Sequence, residues 1–175
     1  MKKLLLGLVV LVLAYVVASP WITVYQMKQA ADAQDGEQLS EYIDFPSVRQ
    51  SLKDQLNARV LGEINQDEDA NPMAALGASF AGMVVERMVD AYVTPAAITE
   101  MMKGDTPKEA PEKPRDLPPS EPGEEAEPLA DARMGYAGLN RFVIELEAKD
   151  AKDKPAKFVL RRRGLGWQLT EILLP

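Results

Sequence analysis

Three consecutive arginines close to a tryptophan form the pattern in this chain with the clearest capacity to bind a ligand. The run at residues 161–163 offers three guanidinium groups, which bind phosphate or an anionic lipid headgroup through paired hydrogen bonds. In an extended strand, however, successive side chains point to opposite faces, so the run is divided between two faces. Arg162 and Trp167 are therefore candidate binding residues, with Arg162 set apart from its two neighbours.

We favour a structural interpretation of the same residues over binding. Arg161 is expected to pair with Glu145 or Glu147 on the adjacent strand, as oppositely charged residues do across a sheet. The stem of Arg162 is expected to lie on the ring of Trp167, because a guanidinium is attracted to an aromatic face.

Methionine is the second chemically distinctive residue type, since five of the eight methionines lie between residues 73 and 102. Flexible thioether side chains can line an adaptable binding groove, which makes Met83 and Met88 further candidate binding residues. Core filling is the favoured alternative. The segment 72–93 is apolar around much of a helical circumference, so we expect it to be well buried.

The composition excludes several kinds of enzyme. The chain has no Cys and no His, which excludes disulfides, zinc sites of the Cys/His type and Ser-His-Asp or Cys-His nucleophiles. Ser47 and Lys53 are six residues apart and face different ways on a helix, so they do not form a dyad. The acidic residues 67–69 lack the glycine-organised spacing of a calcium loop. We therefore predict no catalytic residue, no metal and no cofactor.

The net charge of −7 also bears on the partners of the protein. An acidic chain repels the phosphates of nucleic acids before contact, so we expect no nucleic-acid partner.

The first residues read as a membrane-targeting segment. Residues 4–27 carry no charge, and a helix of that length covers about 36 Å, more than the hydrocarbon core of a bilayer. Lys2 and Lys3 precede this segment and should remain in the cytoplasm, which places the rest of the chain across the membrane.

Two fates of this segment stay open. Cleavage after Ala18 would make it a signal peptide and leave a soluble periplasmic protein. Without cleavage, residues 1–19 form a signal anchor, with residues 4–19 in the inner membrane. We favour the anchor, although its Leu/Val-rich part is short. Trp21 and Tyr25 would then lie at the far membrane interface, or else both belong to the first helix of the folded domain.

Helical patterns follow as far as residue 104. We predict helices over residues 22–34, around Leu39, over 45–64, over 72–93 and over 95–103, with N-caps at Asp44 and Thr94. Residues 105–130 differ, because they hold seven of the 13 prolines and few large apolar residues. Such a segment is expected to be a disordered linker.

Beyond the linker the period of the apolar residues changes to two, which predicts an antiparallel meander of three or four strands in residues 131–175. In the last hairpin, Phe158 and Leu160 must share a face with Trp167 and Leu169. That requires an even-numbered loop, either residues 165–166 or residues 163–166.

Four segments also resemble a known family. They are "ASPWITVYQMKQA", "YIDFPSVRQSLKDQL", "LNRFVIELEA" and "LRRRGLGWQLTEILLP", of which the D-F-P-x-x-R-x-S-L-K and W-x-L-T-x-I-x-L-P patterns are the most specific. The chain resembles a group of exported proteins from Gram-negative proteobacteria, catalogued only as a domain of unknown function. The resemblance spans nearly the whole chain apart from the linker, implies export and brings no known catalytic residues.

The order of elements is more loosely similar to that of the cystatin-like and nuclear-transport-factor-2-like α+β proteins. Those proteins often have a pocket between helix and sheet. This chain differs in having its helices bunched before a small sheet.

Together these features predict an α+β protein with residues 20–175 as one domain: a helical part 20–104, the linker 105–130 and the sheet 131–175. The expected function is that of a non-catalytic, membrane-tethered periplasmic binding or interaction module, with an envelope protein or a lipid as its partner. A small-ligand or lipid carrier with a helix–sheet pocket is the alternative, and an enzyme that lacks His and Cys is the third.

Overall fold

The structure, a computed structural model, describes residues 2–64, 72–103, 132–146 and 155–174. Within these residues, helices come first and an antiparallel sheet follows, which confirms the predicted α+β class. The elements are α1 (Lys2–Asp32), α2 (Gly36–Glu41), α3 (Phe45–Ile64), α4 (Pro72–Tyr92), α5 (Pro95–Met102), β1 (Arg133–Gly138), β2 (Arg141–Leu146), β3 (Ala156–Arg163) and β4 (Gly166–Leu173).

The first helix is longer than either segment predicted for it. α1 joins the apolar N-terminal segment to the helix predicted over residues 22–34 and continues through Pro20. Proline has no N–H, so the carbonyl of Val16, four residues earlier, loses its helical donor. The hydroxyl of Ser19 donates to that carbonyl at 2.8 Å, so a donor from the same turn replaces the one that proline lacks.

The predicted caps are confirmed at two later helices. An Asp44 carboxylate oxygen accepts a hydrogen bond from the backbone N–H of Ser47 at 3.3 Å at the start of α3. At α5, the Thr94 hydroxyl accepts from the N–H of Ala97 at 3.1 Å, and Pro95 occupies the first turn, where no N–H is needed.

The four strands form one meander in the order β1-β2-β3-β4. The last hairpin turns through Gly164 and Leu165, so its loop is even-numbered, as the side-chain parity requires. Its register is that of the predicted 163–166 loop, in which Arg162 lies opposite Trp167. Gly164 has a φ of +63°, as the first residue of a type II′ turn requires.

A bulge in β4 changes which residues face the helices. Val159 pairs with Glu171 and Leu160 with Leu169, so Thr170 is an extra residue, and its hydroxyl donates to the Val159 carbonyl at 3.2 Å. Beyond the bulge the alternation is reversed, which places Glu171 on the face of the sheet away from the core.

The helices and the sheet share one apolar cluster. α1 crosses one face of the sheet and α3 packs along β4. The segments on either side of the predicted linker therefore contribute to the same core, while residues 105–130 themselves lie outside the described residues. The buried members of the cluster are Val24, Val48, Phe142, Ile144, Leu160, Trp167 and Leu169.

α4 departs from its prediction. Its inner face packs on α3, where Val89 is buried and Lys53 forms an ion pair with Asp90 at 2.8 Å. Its outer face is exposed, so the expectation that α4 is well buried, with Met83 and Met88 in the core, is wrong. The described elements provide one layer against this helix, whereas a helix that is apolar on most sides needs two.

Candidate functional site

Arg162 and Trp167 lie together where the last hairpin meets α1. The two residues are directly opposite each other on β3 and β4, and the Arg162 guanidinium carbon is 4.7 Å from the centre of the indole ring. The predicted stacking of Arg162 on Trp167 is therefore confirmed. Arg162 also donates a hydrogen bond to the Val16 carbonyl at 3.4 Å, the carbonyl that Pro20 leaves without a helical donor.

Two further side chains fasten the sheet to the same turn of α1. The indole Nε1 of Trp167 donates to the Ser19 hydroxyl oxygen at 2.8 Å, and the Tyr136 hydroxyl donates to the Val17 carbonyl at 3.0 Å. Trp167 is 1% exposed, so its ring packs in the core and offers little surface to a ligand. Pro20 is the sequence feature that could have indicated a contact at this turn of α1, because it leaves a helical carbonyl without its donor.

Aromatic rings continue the contact along α1. Trp21 packs edge-to-face on Tyr136 and Phe142, with ring centres 5.5 and 4.8 Å apart, and Tyr136 packs in the same way on Trp167. Trp21 therefore belongs to the packing between helix and sheet while it stays partly exposed. Tyr25, one turn later, is exposed.

The two candidate methionines lie on a different surface. Phe80, Met83, Val84 and Met88 are 66%, 54%, 41% and 42% exposed. Met83 and Val84 follow Phe80 by three and four residues, and Met88 follows Val84 by four, which places all four on one side of α4. We call these four residues the α4 stripe. A contiguous apolar patch of this kind is typical of an interaction surface.

The outer face of the sheet carries charged side chains that form ion pairs. Arg161 donates two hydrogen bonds to Glu171, at 2.7 and 3.0 Å, and Arg141 reaches the same carboxylate at 3.4 Å. Glu145 instead pairs with Lys157 at 2.6 Å, so the prediction that it pairs with Arg161 is wrong. The β4 bulge explains the difference, because it turns Glu171 toward the arginines. Glu147 lies outside the described residues.

Arg163 holds the loop before α3 against the hairpin. Its guanidinium donates to the Asp44 carboxylate at 2.6 Å. Burial acts to raise the pKa of Asp44, but hydrogen bonds from Arg163 and Ser47 favour the ionised form, and the pKa lies below its usual range. Two of the three consecutive arginines are thus paired with carboxylates, which leaves Arg162 as the candidate for a ligand.

A small apolar groove opens between α1, α2 and the sheet. Its volume is about 210 Å³, and Met27, Leu39, Ile144 and Phe158 are among its lining residues. Lys28 is the charged residue beside it. Binding sites for small molecules usually exceed about 300 Å³, so the groove fits one short apolar group.

The structure brings together no catalytic constellation among the residues it describes. Lys53 is bonded to Asp90, while Ser47 lies near Arg163, so Ser47 and Lys53 are not a dyad. Within residues 2–64, 72–103, 132–146 and 155–174, no group of three acidic side chains could hold a metal ion. The acidic residues 67–69 lie outside this part of the chain.

Residues 9–101 match the family described as "Protein of unknown function (DUF2939)", which is more than half of the chain. The chain belongs to the DUF2939 family. The match runs from the apolar part of α1 to the end of α5, so it includes the turn of α1 that binds the sheet and the α4 stripe.

No curated protein matches this DUF2939 chain. No solved structure matches it either, so the architectural similarity to the cystatin-like proteins stays a prediction.

Proposed function

We propose that this DUF2939 protein is a non-catalytic interaction module, tethered to the inner membrane by α1 with its folded part in the periplasm. The observation that carries the proposal is the difference between the two halves of α1. α1 as a whole is long and apolar enough, by length and composition, to cross a membrane, and its first half is exposed. Its second half is packed in the core of the protein, and the helix does not end between the two.

The contacts around Pro20 support an uncleaved anchor. Cleavage after Ala18 would remove the carbonyls of Val16 and Val17, which accept hydrogen bonds from Arg162 and Tyr136. It would also cut α1 directly before residues that are buried against the sheet. A protein adapted to lose its signal peptide has no need of such contacts on the removed side of the cleavage site.

The charges before the apolar segment support the orientation. Lys2 and Lys3 precede it, and positive residues remain on the cytoplasmic side of a membrane. The sheet and the remaining helices then lie in the periplasm, which agrees with the resemblance to exported proteins.

The α4 stripe is the surface proposed for the partner. Methionine and phenylalanine side chains adapt to an apolar partner surface without a preformed pocket. Because α4 lies on the outside of α3, a partner could reach this stripe without disturbing the core.

Two experiments test the proposal. A full-length protein with a C-terminal tag should fractionate with the inner membrane and keep its original N-terminus. An N-terminal sequence that begins at Ser19 would overturn the anchor.

The second experiment tests the α4 stripe. A photoreactive residue in place of Met83 or Met88 should form a discrete crosslinked product in membranes, whereas the same residue at Gln38, an exposed polar position on α2, should not. Equal crosslinking at all three positions would overturn the assignment of the α4 stripe.

A lipid carrier is the second candidate, and the groove beside α1 and α2 favours it. Its lining is almost entirely apolar, and Lys28 at its rim could meet an anionic headgroup. A photoreactive residue in place of Leu39, one of the lining residues, would then capture a lipid rather than a protein. Mass spectrometry of the captured species separates the carrier from the interaction module.

A further inference from the structure

We propose that the two hairpin turns of the sheet insert into the membrane interface, so that the sheet stands on the bilayer beside its anchor. The turns are Leu139–Asn140, between β1 and β2, and Gly164–Leu165, between β3 and β4. The inference rests on the proposed anchor and goes beyond it, because an anchored domain could equally be held away from the lipid.

The topology brings the two turns to the same end of the sheet. In a four-stranded meander the first and third connections lie at one end and the second at the other. A hydrogen bond from the backbone N–H of Arg162 to the Asn140 carbonyl, at 3.1 Å, joins the first turn to the strand that leads into the second.

The same end of the sheet faces the apolar half of α1. The turn of α1 at Val16 is bonded to Arg162, whereas Met27 and Ala31, later in α1, lie beside Phe158 near the start of β3. The sheet therefore extends toward the N-terminus of α1 as it approaches its turns. Leu165 of the second turn lines a cleft along α1 in which Tyr15 is the residue nearest the N-terminus.

The length of α1 that is free of the sheet then decides where the turns lie. Residues 4–15 cover about 18 Å as a helix, whereas the hydrocarbon core of a bilayer is about 30 Å thick. The long side chains of Lys2 and Lys3 extend to the cytoplasmic headgroups, and the bilayer can thin locally. Both effects reduce the difference between the length of the helix and the thickness of the core. A domain held clear of the surface would make the shortfall larger, so the shortfall is smallest when the turns meet the lipid.

The side chains at the turns suit that position. Leu139 is 90% exposed and Leu165 is 86% exposed, the two highest values for large apolar side chains in the described part of the chain. Turns facing water are usually made of Gly, Asn, Asp, Ser and Pro, and here each turn pairs one such residue with a leucine. Trp21 and Tyr136 are both partly exposed near this end, as aromatic residues at a membrane interface are.

The charge at this end fits the headgroup layer. Arg162 lies between the two turns, and no carboxylate of the described residues forms an ion pair with it. The guanidinium donors that Arg162 does not use on the Val16 carbonyl can therefore meet a lipid phosphate at the depth where the leucines enter the acyl boundary.

Because the chain has no cysteine, single-cysteine variants of the full-length protein can test this placement directly. Leu11→Cys, Leu139→Cys, Leu165→Cys and Leu174→Cys would each carry an environment-sensitive fluorophore, in vesicles of phosphatidylethanolamine and phosphatidylglycerol. Leu174 is the matched control, since it is an exposed leucine just after β4, at the end of the sheet away from the turns. Lipids with a nitroxide near the headgroup quench fluorophores at the interface.

We expect the labels at Leu139 and Leu165 to lose emission and the label at Leu174 to keep it. If the label at Leu11 is quenched by nitroxides deep in the bilayer and those at the turns are not quenched at all, the anchor stands and the inserted turns are overturned. If the label at Leu11 is not quenched either, both the anchor and the inference fail. Quenching at Leu174 as well would overturn the proposed orientation, in which only the end of the sheet with the two turns meets the lipid. A blue shift at the turns without quenching would also overturn the inference, because it would mean that protein rather than lipid covers them.

Discussion

Trp167 is the residue whose removal tests the packing of the sheet on α1 most directly. Its ring is 1% exposed within the core cluster, and truncation of a buried aromatic residue to alanine costs about 3–5 kcal/mol. The change also removes the donor to Ser19, a hydrogen bond worth about 0.5–1.5 kcal/mol. We therefore expect Trp167→Ala to lower the free energy of unfolding by about 4–6 kcal/mol.

Two further variants separate the contribution of the buried ring from those of its hydrogen bond and of the opposite face of the sheet. Trp167→Phe keeps an aromatic ring in the core and removes the indole N–H, so its cost should be about 1–3 kcal/mol. Arg161→Ala removes a half-exposed ion pair with Glu171 on the opposite face of the sheet and should cost no more than about 1 kcal/mol.

The assay is urea unfolding of the full-length protein in a mild non-ionic detergent. Far-ultraviolet circular dichroism reports the whole fold in every variant. In the two Trp167 variants, fluorescence of the remaining Trp21 also reports the contact between α1 and the sheet. The expected order of destabilisation is Trp167→Ala, then Trp167→Phe, then Arg161→Ala. Equal losses for Trp167→Ala and Arg161→Ala would refute the assignment of the two faces.

Three other predictions concern the close approach of α2 to α5, the charge of Asp44 and the linker. Gly36→Ala should destabilise the protein in thermal melts, because the new Cβ would lie 2.6 Å from the Thr99 Cα where α2 meets α5; an unchanged melting temperature would contradict that close approach. The ionised Asp44 stabilises the fold above its ordinary pKa, and this contribution is lost as the pH falls through its lowered folded-state pKa. The stability difference between the wild type and Asp44→Asn, from urea melts at several pH values, should therefore shrink in acid, and a constant difference would refute the role of the charge. Limited proteolysis should cut first within residues 105–130, and the two fragments should stay associated on a sizing column because both contribute to one core; separate elution would show two independent domains.

Local patterns were sufficient for the parts of the fold that depend on neighbouring residues. The N-caps at Asp44 and Thr94 follow from side chains that reach a backbone N–H three residues later. The even-numbered turn at Gly164–Leu165 follows from strand alternation alone, because a shift by one residue would move a whole apolar row to the other face. The same parity places Arg162 on the face of Trp167, and the register of the turn sets the two residues directly opposite each other.

The sequence determined the α+β class, the apolar length of α1, the caps and the parity of the last hairpin, because each depends on residues a few positions apart. The tertiary structure decided the rest. The bulge at Thr170 makes Glu171, rather than Glu145, the partner of Arg161. The Val16 carbonyl, which Pro20 leaves without a helical donor, accepts from Arg162 on a distant strand as well as from Ser19. The outer face of α4 keeps an exposed apolar stripe. Periodicity shows which face of an element can be buried, but only the packing of the whole chain shows whether another element is there to cover it.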